Sequence, residues 1–148
     1  MQLVFDLDEC LVATREANRA AYASLGVTSP RISDHMPARY WMRNNEIYEK
    51  KHRVFPEYLR KMGRLLPTFN LLRRDSVILT GTSTNSVLTI CRVFPVFLDY
   101  VIIPDLSPDM KIEWLRRNET GIYFDDWSEF VERVRRETRW QSIDTSRF

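Results

Sequence analysis

Residues 3–12 read LVFDLDECLV, a short apolar run that ends in two aspartates one residue apart, Asp6 and Asp8. A β-strand delivers side chains i and i+2 to the same side, so the two carboxylates meet where the strand ends. Two like charges that close together are unfavourable without a metal, a proton or a cationic neighbour. Capping of a following helix by one aspartate is the simpler interpretation of the pair. Taken alone, the pair leaves both a helix cap and a site for a cation or a phosphoryl group open.

Length and composition describe one domain with a hydrophobic core and little net charge. The 148 residues are 44% hydrophobic and 12% aromatic, and their 22 basic and 20 acidic side chains give a net charge of +2. This balance does not by itself indicate a nucleic-acid or membrane partner. The two histidines, His35 and His52, are far apart, so a zinc site or a histidine-dependent triad has little support. We expect the chemistry to rest on carboxylates, hydroxyls and lysine.

Cysteine usage and hydropathy bear on the compartment. Cys10 and Cys91 lie in apolar surroundings without CxxC spacing, which predicts buried thiols in a reducing compartment. The sequence shows no signal-peptide pattern, and no apolar run approaches the ~18 residues of a membrane-spanning helix. We therefore expect a cytoplasmic protein without a membrane partner. The oligomeric state cannot be predicted from these features.

The predicted elements alternate between strands and helices. A strand over 2–6 precedes a helix over 14–25, and Gly26 stands at the position of a helix C-terminal glycine. Apolar spacings of three and four residues predict helices and no strand from 37 to 74, with a separate short helix over 67–74. Three strand and helix pairs and an edge strand over 140–143 follow. The pairs are 77–80 with 84–93, 100–103 with 108–118, and 121–125 with 128–137. This order predicts an α/β fold with a mostly parallel sheet and helices on both faces.

Polar side chains stand at the carboxyl ends of these predicted strands, where open α/β sheets bind ligands. Thr80 and Gly81 follow the strand over 77–80. A threonine hydroxyl can donate to a phosphate oxygen, and a glycine lets the backbone approach closely. Capping of the next helix by residues 80–84 would explain the same composition.

Lys111 falls in the first turn of a helix that begins at Ser107 and Pro108. The helix dipole disfavours a cation at this position. A ligand phosphate or a catalytic carboxylate near the ammonium would compensate. The alternative is a surface ion pair with Asp109 or Glu113.

Asp125 and Asp126 end the strand over 121–125. Residues 126–129 fit a capping box, which explains Asp126 but leaves Asp125 without a role. Adjacent acids at a buried sheet edge are better explained by a hard cation with oxygen ligands, such as Mg2+.

Together the four groups resemble, in order and position, the motifs of the haloacid dehalogenase-like phosphohydrolase superfamily. Residues 5–12 match its apolar strand followed by DxDx(T/V), and residues 77–80 match its strand ending in Thr or Ser. Lys111 matches its lysine at a helix start, and residues 122–126 match its strand ending in two aspartates. The resemblance spans the chain and implies a Rossmannoid three-layer fold with a small all-helical cap insert. The core is expected over 1–13 and 67–148, and the insert over 14–66.

The resemblance also implies a phosphatase and a role for each motif residue. Asp6 would be the nucleophile that forms an aspartyl-phosphate, and Asp8 would protonate the leaving oxygen and then activate water. Thr80 and Lys111 would bind the phosphoryl oxygens, with Gly81 allowing the backbone to approach them.

A Mg2+ ion is the cofactor that the resemblance implies. Asp6, the Asp8 backbone carbonyl and Asp125 would hold it, with help from Asp126. The ion would offset the charge of two anions that have to meet.

Two residues depart from the family pattern, which usually has Gly and Thr after the second aspartate. Here Glu9 and Cys10 stand at those positions. The glutamate is similar to the DxDET variant of carboxy-terminal-domain-type protein phosphatases, so it is compatible with activity. The loss of the threonine hydroxyl at Cys10 removes a group that would help to order the turn.

The insert is the segment with which such proteins select substrates. Residues 11–26 are similar to the cap start of the phosphoglucomutase and phosphatase-like branch. We expect a modest lid that contributes residues to the site without assigning a role to any one of them. The candidates are Arg15, Tyr40, Trp41, Arg43 and Asn44.

Three functions follow as hypotheses. The first is a phosphomonoesterase for a small phosphorylated metabolite or (deoxy)nucleotide. The second is a nucleic-acid 3′-end phosphatase, which the basic clusters at 60–61, 73–74, 116–117 and 133–136 favour only if they line one groove. The third is a catalytically silent phosphate-binding or interaction module, against which the retention of both first-motif carboxylates argues. A dehalogenase is less favoured because the paired acids and metal acids suit phosphoryl transfer.

Overall fold

The computed structural model describes residues 1–27 and 45–148. The strands are β1 Gln2–Phe5, β2 Val12–Ala13, β3 Arg64–Leu65, β4 Val77–Leu79, β5 Val101–Ile103, β6 Gly121–Asp125 and β7 Gln141–Asp144. The α-helices are α1 Arg15–Ser24, α2 Asn45–Met62, α3 Thr84–Val93, α4 Pro108–Arg117 and α5 Ser128–Glu137. Short 3-10 helices span Pro67–Leu71 and Pro95–Asp99. Within the described ranges, no helix is both long and apolar enough to cross a membrane.

The main sheet has five strands in the order β5-β4-β1-β6-β7, and every neighbouring pair is parallel. Alternation along β1 sends Leu3 and Phe5 into one apolar layer and Val4 into the other. The first layer includes buried side chains of α1, α2 and α3, and the second those of α4 and α5. The predicted three-layer α/β fold with a mostly parallel sheet is confirmed.

Most element bounds agree with the sequence-based expectation within one or two residues. The helices Thr84–Val93 and Ser128–Glu137 and the strand Gly121–Asp125 begin and end where expected. Gly26 follows α1 with φ of 80°, the left-handed conformation of a helix C-terminal glycine. These elements are set by local apolar periodicity and by their terminal residues, both of which can be read directly from a sequence.

The expectation of no strand between 37 and 74, and hence of an all-helical insert, is wrong at one place. Strand β3 pairs antiparallel with β2, and the Leu66 amide donates to the Leu11 carbonyl at 2.9 Å. A two-residue strand is too short to show an alternation of apolar and polar residues. Its pairing arises because two distant segments of the chain come together in the fold. The first part of the predicted helical stretch, residues 37–44, lies outside the described residues.

Helix α2, which lies in the expected insert, packs against the sheet. Phe55 and Leu59 of α2 are fully buried in the same apolar cluster as Phe5. The Tyr48 hydroxyl shares a hydrogen bond with the hydroxyl of Ser83, the N-cap residue of α3. Helix α2 therefore reaches the carboxyl end of β4.

Candidate active site

Asp6 and Lys111 form a buried ion pair at the carboxyl end of the central strand. The Lys111 ammonium donates to Asp6 Oδ1 at 2.8 Å, and the lysine is only 8% exposed. Ser107 caps α4 by accepting from the Met110 amide at 3.2 Å, which fixes Lys111 in the first turn. The alternative of a surface ion pair with Asp109 or Glu113 is wrong, because Lys111 is buried. The two acids lie 2.5 Å from Arg133 and 3.9 Å from Arg117, respectively.

Asp125 is held from both of its oxygens. The Tyr123 hydroxyl donates to Oδ2 at 2.6 Å, and the Trp127 amide donates to Oδ1 at 3.0 Å. Lys111 Nζ lies 4.0 Å from Oδ2 and 3.4 Å from the Tyr123 hydroxyl oxygen. Tyr123 and Asp125 share one side of β6 because they are two residues apart. The tyrosine therefore links the lysine to the second buried carboxylate.

Three carboxylates converge near this lysine. One oxygen from each of Asp6, Asp125 and Asp126 lies within 4.8 Å of the others. Burial and the charge of Asp125 raise the pKa of Asp6 well above its ordinary value, although Lys111 opposes the rise. The same two causes raise the pKa of Asp126 to about 7. A cluster of hard oxygen donors with one ammonium nearby fits a divalent cation such as Mg2+.

The capping-box interpretation of Asp126 is wrong. The N-cap position of α5 is Trp127, and no side chain there makes a capping hydrogen bond. Asp126 instead lies 3.7 Å from the Arg15 guanidinium, at the start of the insert. Its carboxylate is thus positioned beside the other two acids rather than over the helix end.

Asp8 accepts hydrogen bonds from hydroxyls and belongs to a separate part of the site. Thr14 Oγ1 donates to its Oδ1 at 2.5 Å, and Thr82 Oγ1 donates to its Oδ2. Thr80 Oγ1 lies at a longer 3.5 Å from the same oxygen. The Asp8 side chain is not part of the acidic cluster, so its carboxylate remains available for a different role.

The loop after β4 contains Thr80 and Gly81. Thr80 is 1% exposed, and its hydroxyl accepts from the Thr82 amide at 3.0 Å. Ser83, not Thr80, caps α3. A Cβ added at Gly81 would lie 3.1 Å from the Leu106 carbonyl oxygen, so the glycine permits a close backbone approach.

Glu9 occupies the position where the family pattern usually has glycine. Its φ of 59° lies in the left-handed region, which favours glycine. Its Oε1 accepts from the amides of Thr14 at 2.9 Å and Arg15 at 2.7 Å, at the start of α1. A carboxylate at a helix N-terminus is stabilised by the free amides and by the helix dipole. Glu9 thus joins the loop after β1 to the first helix of the insert.

Both cysteines are buried and unbridged, as predicted. The Cys10 thiol is directed at the Phe124 carbonyl oxygen at 3.6 Å. Burial raises the pKa of Cys10 well above its ordinary value, which makes it a poor nucleophile. Cys10, which stands where the family pattern has threonine, therefore serves as a packing residue.

The sequence-based expectation gave no role to Thr14, Thr82 or Tyr123. Tyr123 could have been found from strand alternation, since residue i−2 faces the same side as Asp125. The two threonines reach Asp8 through tertiary proximity that no spacing reveals. Of the insert candidates, Arg15 lies at the site, whereas residues 40, 41, 43 and 44 are outside the described residues.

No protein-family model and no curated protein matches this sequence. Solved structures do match its fold. A protein from Lactobacillus plantarum assigned as a phosphoglycolate phosphatase has a TM-score of 0.62 at 16% identity, with 95% of this chain and 84% of that chain covered. CbbY from Rhodobacter sphaeroides in complex with phosphate has a TM-score of 0.61 at 19% identity, with 90% and 81% covered.

A haloacid dehalogenase-superfamily hydrolase of subfamily IA from Geobacter sulfurreducens has a TM-score of 0.58 at 14% identity, with 92% of this chain and 84% of that chain covered. These likenesses establish a haloacid dehalogenase-like fold for this protein. The resemblance first seen in the four sequence motifs is confirmed at the level of the fold.

Proposed function

We propose that this protein is a Mg2+-dependent phosphomonoester hydrolase that acts through an aspartyl-phosphate, on a small phosphorylated metabolite or nucleotide. One observation carries the proposal: Asp6 is held at the end of the central strand by Lys111, beside two further carboxylates. A buried carboxylate with an adjacent cation is a suitable oxygen nucleophile for a phosphoryl group. The solved structures of this fold, which include assigned phosphatases, support the same reaction class.

The proposed reaction has two displacement steps at phosphorus. Asp6 attacks phosphorus, its oxygen-phosphorus bond forms, and the ester oxygen leaves with a proton from Asp8. Asp8 then takes a proton from the water that attacks the aspartyl-phosphate, which releases inorganic phosphate and restores Asp6. The hydroxyls of Thr14 and Thr82 donate to the Asp8 side chain and would orient it for both proton transfers.

Charge on the phosphoryl oxygens needs fixed donors. Lys111 and Thr80 would supply an ammonium and a hydroxyl there, and Gly81 would let the backbone approach. Asp6, Asp125, Asp126 and the Asp8 backbone carbonyl would hold Mg2+. When bound, the ion supplies positive charge that lets an anionic ester approach the carboxylates.

The position of the basic clusters favours a small substrate over a nucleic-acid end. A helix that follows a parallel strand begins at the carboxyl edge of the sheet and runs back to the opposite edge. The pairs at 116–117 and 135–136 lie in the last turns of α4 and α5, and the pair at 73–74 precedes β4. These three pairs therefore stand at the edge away from Asp6. Of the other cluster residues, Arg133 pairs with Asp109 and Glu137, and Arg60 and Lys61 lie in the last turn of α2. The clusters are thus distributed over separate elements rather than along one groove.

The division of the chain belongs to the same proposal. A core over 1–13 and 67–148 with an insert over 14–66 is supported by the β2 and β3 pairing, which brings the two crossings of the chain together. The two buried free thiols support a reducing compartment, and we propose the cytoplasm.

The test is Mg2+-dependent phosphate release from an aryl phosphate, sugar phosphates, mononucleotides and a phosphorylated oligonucleotide. Asp6→Asn should abolish release while the fold is retained, and Asp75→Asn, at an exposed carboxylate remote from the site, should behave as wild type. A preference for the oligonucleotide would replace the metabolite reading with the end phosphatase. Release that persists in Asp6→Asn would contradict the mechanism, and a folded wild type that is silent on all substrates would favour a binding module.

A further inference from the structure

Lys51 of α2 is a buried cation that the proposed reaction does not use. It is 3% exposed and shares one helical face with the fully buried Phe55 and Leu59, which follow it by four and eight residues. Its Nζ lies 4.0 Å from the centre of the Phe55 ring and 5.4 Å from that of Tyr22. Two aromatic faces therefore enclose the ammonium.

This ammonium lacks an anionic partner among the described residues. Lys50 and Lys61 on the same helix lie at 3.1 Å from Glu46 and 3.0 Å from Glu57, respectively. No carboxylate within residues 1–27 and 45–148 comes within ion-pair distance of Lys51. An unpaired buried charge is unfavourable, and cation-π contacts of the kind seen here offset only part of that loss.

Two observations relate Lys51 to the candidate active site. Burial lowers the pKa of its ammonium to about 7, and the negative charge of Asp8 is the group that opposes this shift. One turn earlier on α2, Tyr48 bonds to Ser83, which directly follows the Thr80–Thr82 loop. The lysine therefore lies one turn from the contact of α2 with the loop after β4 and is influenced by the charge of Asp8, the proposed proton donor to the leaving group.

We propose that Lys51 binds an anionic group on the part of the substrate that is not transferred. The substrate is then a small phosphomonoester that bears a second negative group, a carboxylate or another phosphate. The inference rests on the proposed function, because it uses Asp8 to define the leaving-group side. An anion at this place would supply the charge-assisted hydrogen bonds that the buried ammonium lacks.

The experiment compares phosphate esters with and without a second anionic group at the remote end. Phosphoglycolate and ethyl phosphate form one pair, and ethylene glycol bisphosphate and its monophosphate form the other. Binding is measured by calorimetry with Mg2+ present in the non-hydrolysing Asp6→Asn background, so that no turnover is needed. The variants are Lys51→Met, Lys51→Arg and the exposed control Lys50→Met.

We expect the ester with the second anionic group to bind more tightly in at least one pair, by roughly 10- to 100-fold. Lys51→Met should abolish this preference while leaving the affinity for the ester without the remote anion unchanged, and Lys51→Arg should retain part of it. Lys50→Met should keep the full preference. The pair that shows the preference distinguishes a carboxylate from a second phosphate.

Equal binding within both pairs, or a preference that survives in Lys51→Met, would overturn the assignment of Lys51. Absence of binding by every ester to a folded, Mg2+-bound protein would overturn it as well. Failure of the proposed function is a separate result: wild type would then bind these esters without releasing phosphate from any of them. In that case the preference and its dependence on Lys51 still decide the inference.

Discussion

The carboxyl edge of the sheet and the insert treat buried charge in opposite ways. At the edge, the charged groups described above have partners: Lys111 bonds to Asp6, and Asp125 accepts from Tyr123 and the Trp127 amide. In the described part of the insert, the Lys51 ammonium lies over two aromatic rings and has no ion-pair partner among the described residues. Charged side chains that already have hydrogen-bond partners are held in a fixed geometry, which is the preorganisation that a catalytic step needs. In our proposal, the Lys51 ammonium of the insert is the group that a substrate anion would pair with.

The nearby His52 extends this contrast. Both of its ring nitrogens are buried and lack a hydrogen-bond partner in the part of the chain that the structure describes. Burial and the charge of Lys51 lower the pKa of His52 to about 4, so the ring is neutral at physiological pH. Its ring packs edge-on against Tyr48 with centroids 4.2 Å apart.

Removal of the cation from the edge should give the largest effect. Lys111→Met leaves the phosphoryl oxygens without their ammonium and leaves Asp6 beside Asp125 without a counter-charge. We expect kcat/KM on an aryl phosphate to fall roughly 100- to 1000-fold. Steady-state kinetics at saturating Mg2+ measure this, with Lys50→Met as the control. Activity within a few-fold of wild type would mean that the edge does not depend on its ion pair.

Loosening one carboxylate at the same edge should give a smaller effect. Tyr123→Phe removes the hydroxyl that donates to Asp125 at 2.6 Å and leaves the ring packed against Phe130. Groups that orient a metal ligand typically contribute about 10- to 100-fold to metal affinity. Calorimetric titration of Mg2+ into the metal-free protein should show a loss of that size.

A suitable control for this change is Tyr58→Phe, at a half-buried tyrosine of α2 that packs on the apolar cluster. It should leave the Mg2+ affinity unchanged. An equal Mg2+ dissociation constant in Tyr123→Phe and wild type would show that Asp125 is positioned without the tyrosine.

The smallest effect is expected in the insert, where His52 makes stability depend on pH. Its folded pKa of about 4 lies below the ordinary value of 6.5, so the unfolded chain binds more protons between these pH values. The contribution of the neutral ring is complete above pH 6.5 and is lost as the pH falls toward 4. Solvent screening at the partly exposed ring limits the loss to about 1 kcal/mol.

His52→Gln should remove this dependence. Urea unfolding of both proteins at neutral and mildly acidic pH gives the difference in free energy of unfolding, in which the titration of other groups cancels. Wild type should lose more stability than the variant on acidification. Parallel profiles would indicate that the ring is solvated and that the insert holds no buried neutral imidazole.

The sequence predicted the parts of the site that lie at strand ends and helix starts. The convergence of Asp6, Lys111 and Asp125 follows from parallel topology, because the carboxyl ends of parallel strands share one edge. The position of Lys111 in a first turn follows from Ser107 and Pro108, which define the helix start. These inferences need only local periodicity and the rule for where parallel strands end.

The remaining features depend on contacts between distant segments. The β2 and β3 pairing and the hydroxyls of Thr14 and Thr82 around Asp8 arise from how the insert folds back on the core. Lys51 was visible on the buried stripe with Phe55 and Leu59, but a long side chain on such a stripe often extends its ammonium to solvent. Only the packed structure shows that this side chain is buried over two aromatic rings.

The central claim is that Asp6 becomes covalently phosphorylated, and the direct measurement is to trap that intermediate. Wild type is mixed with excess aryl phosphate and Mg2+, quenched in acid during turnover and digested, and the peptides are mapped by mass spectrometry. The account predicts a hydroxylamine-sensitive phosphoryl group on Asp6, and none on the same peptide from Asp6→Asn. A phosphoryl group on another residue, or product formation with no labelled Asp6 at any quench time, would contradict it.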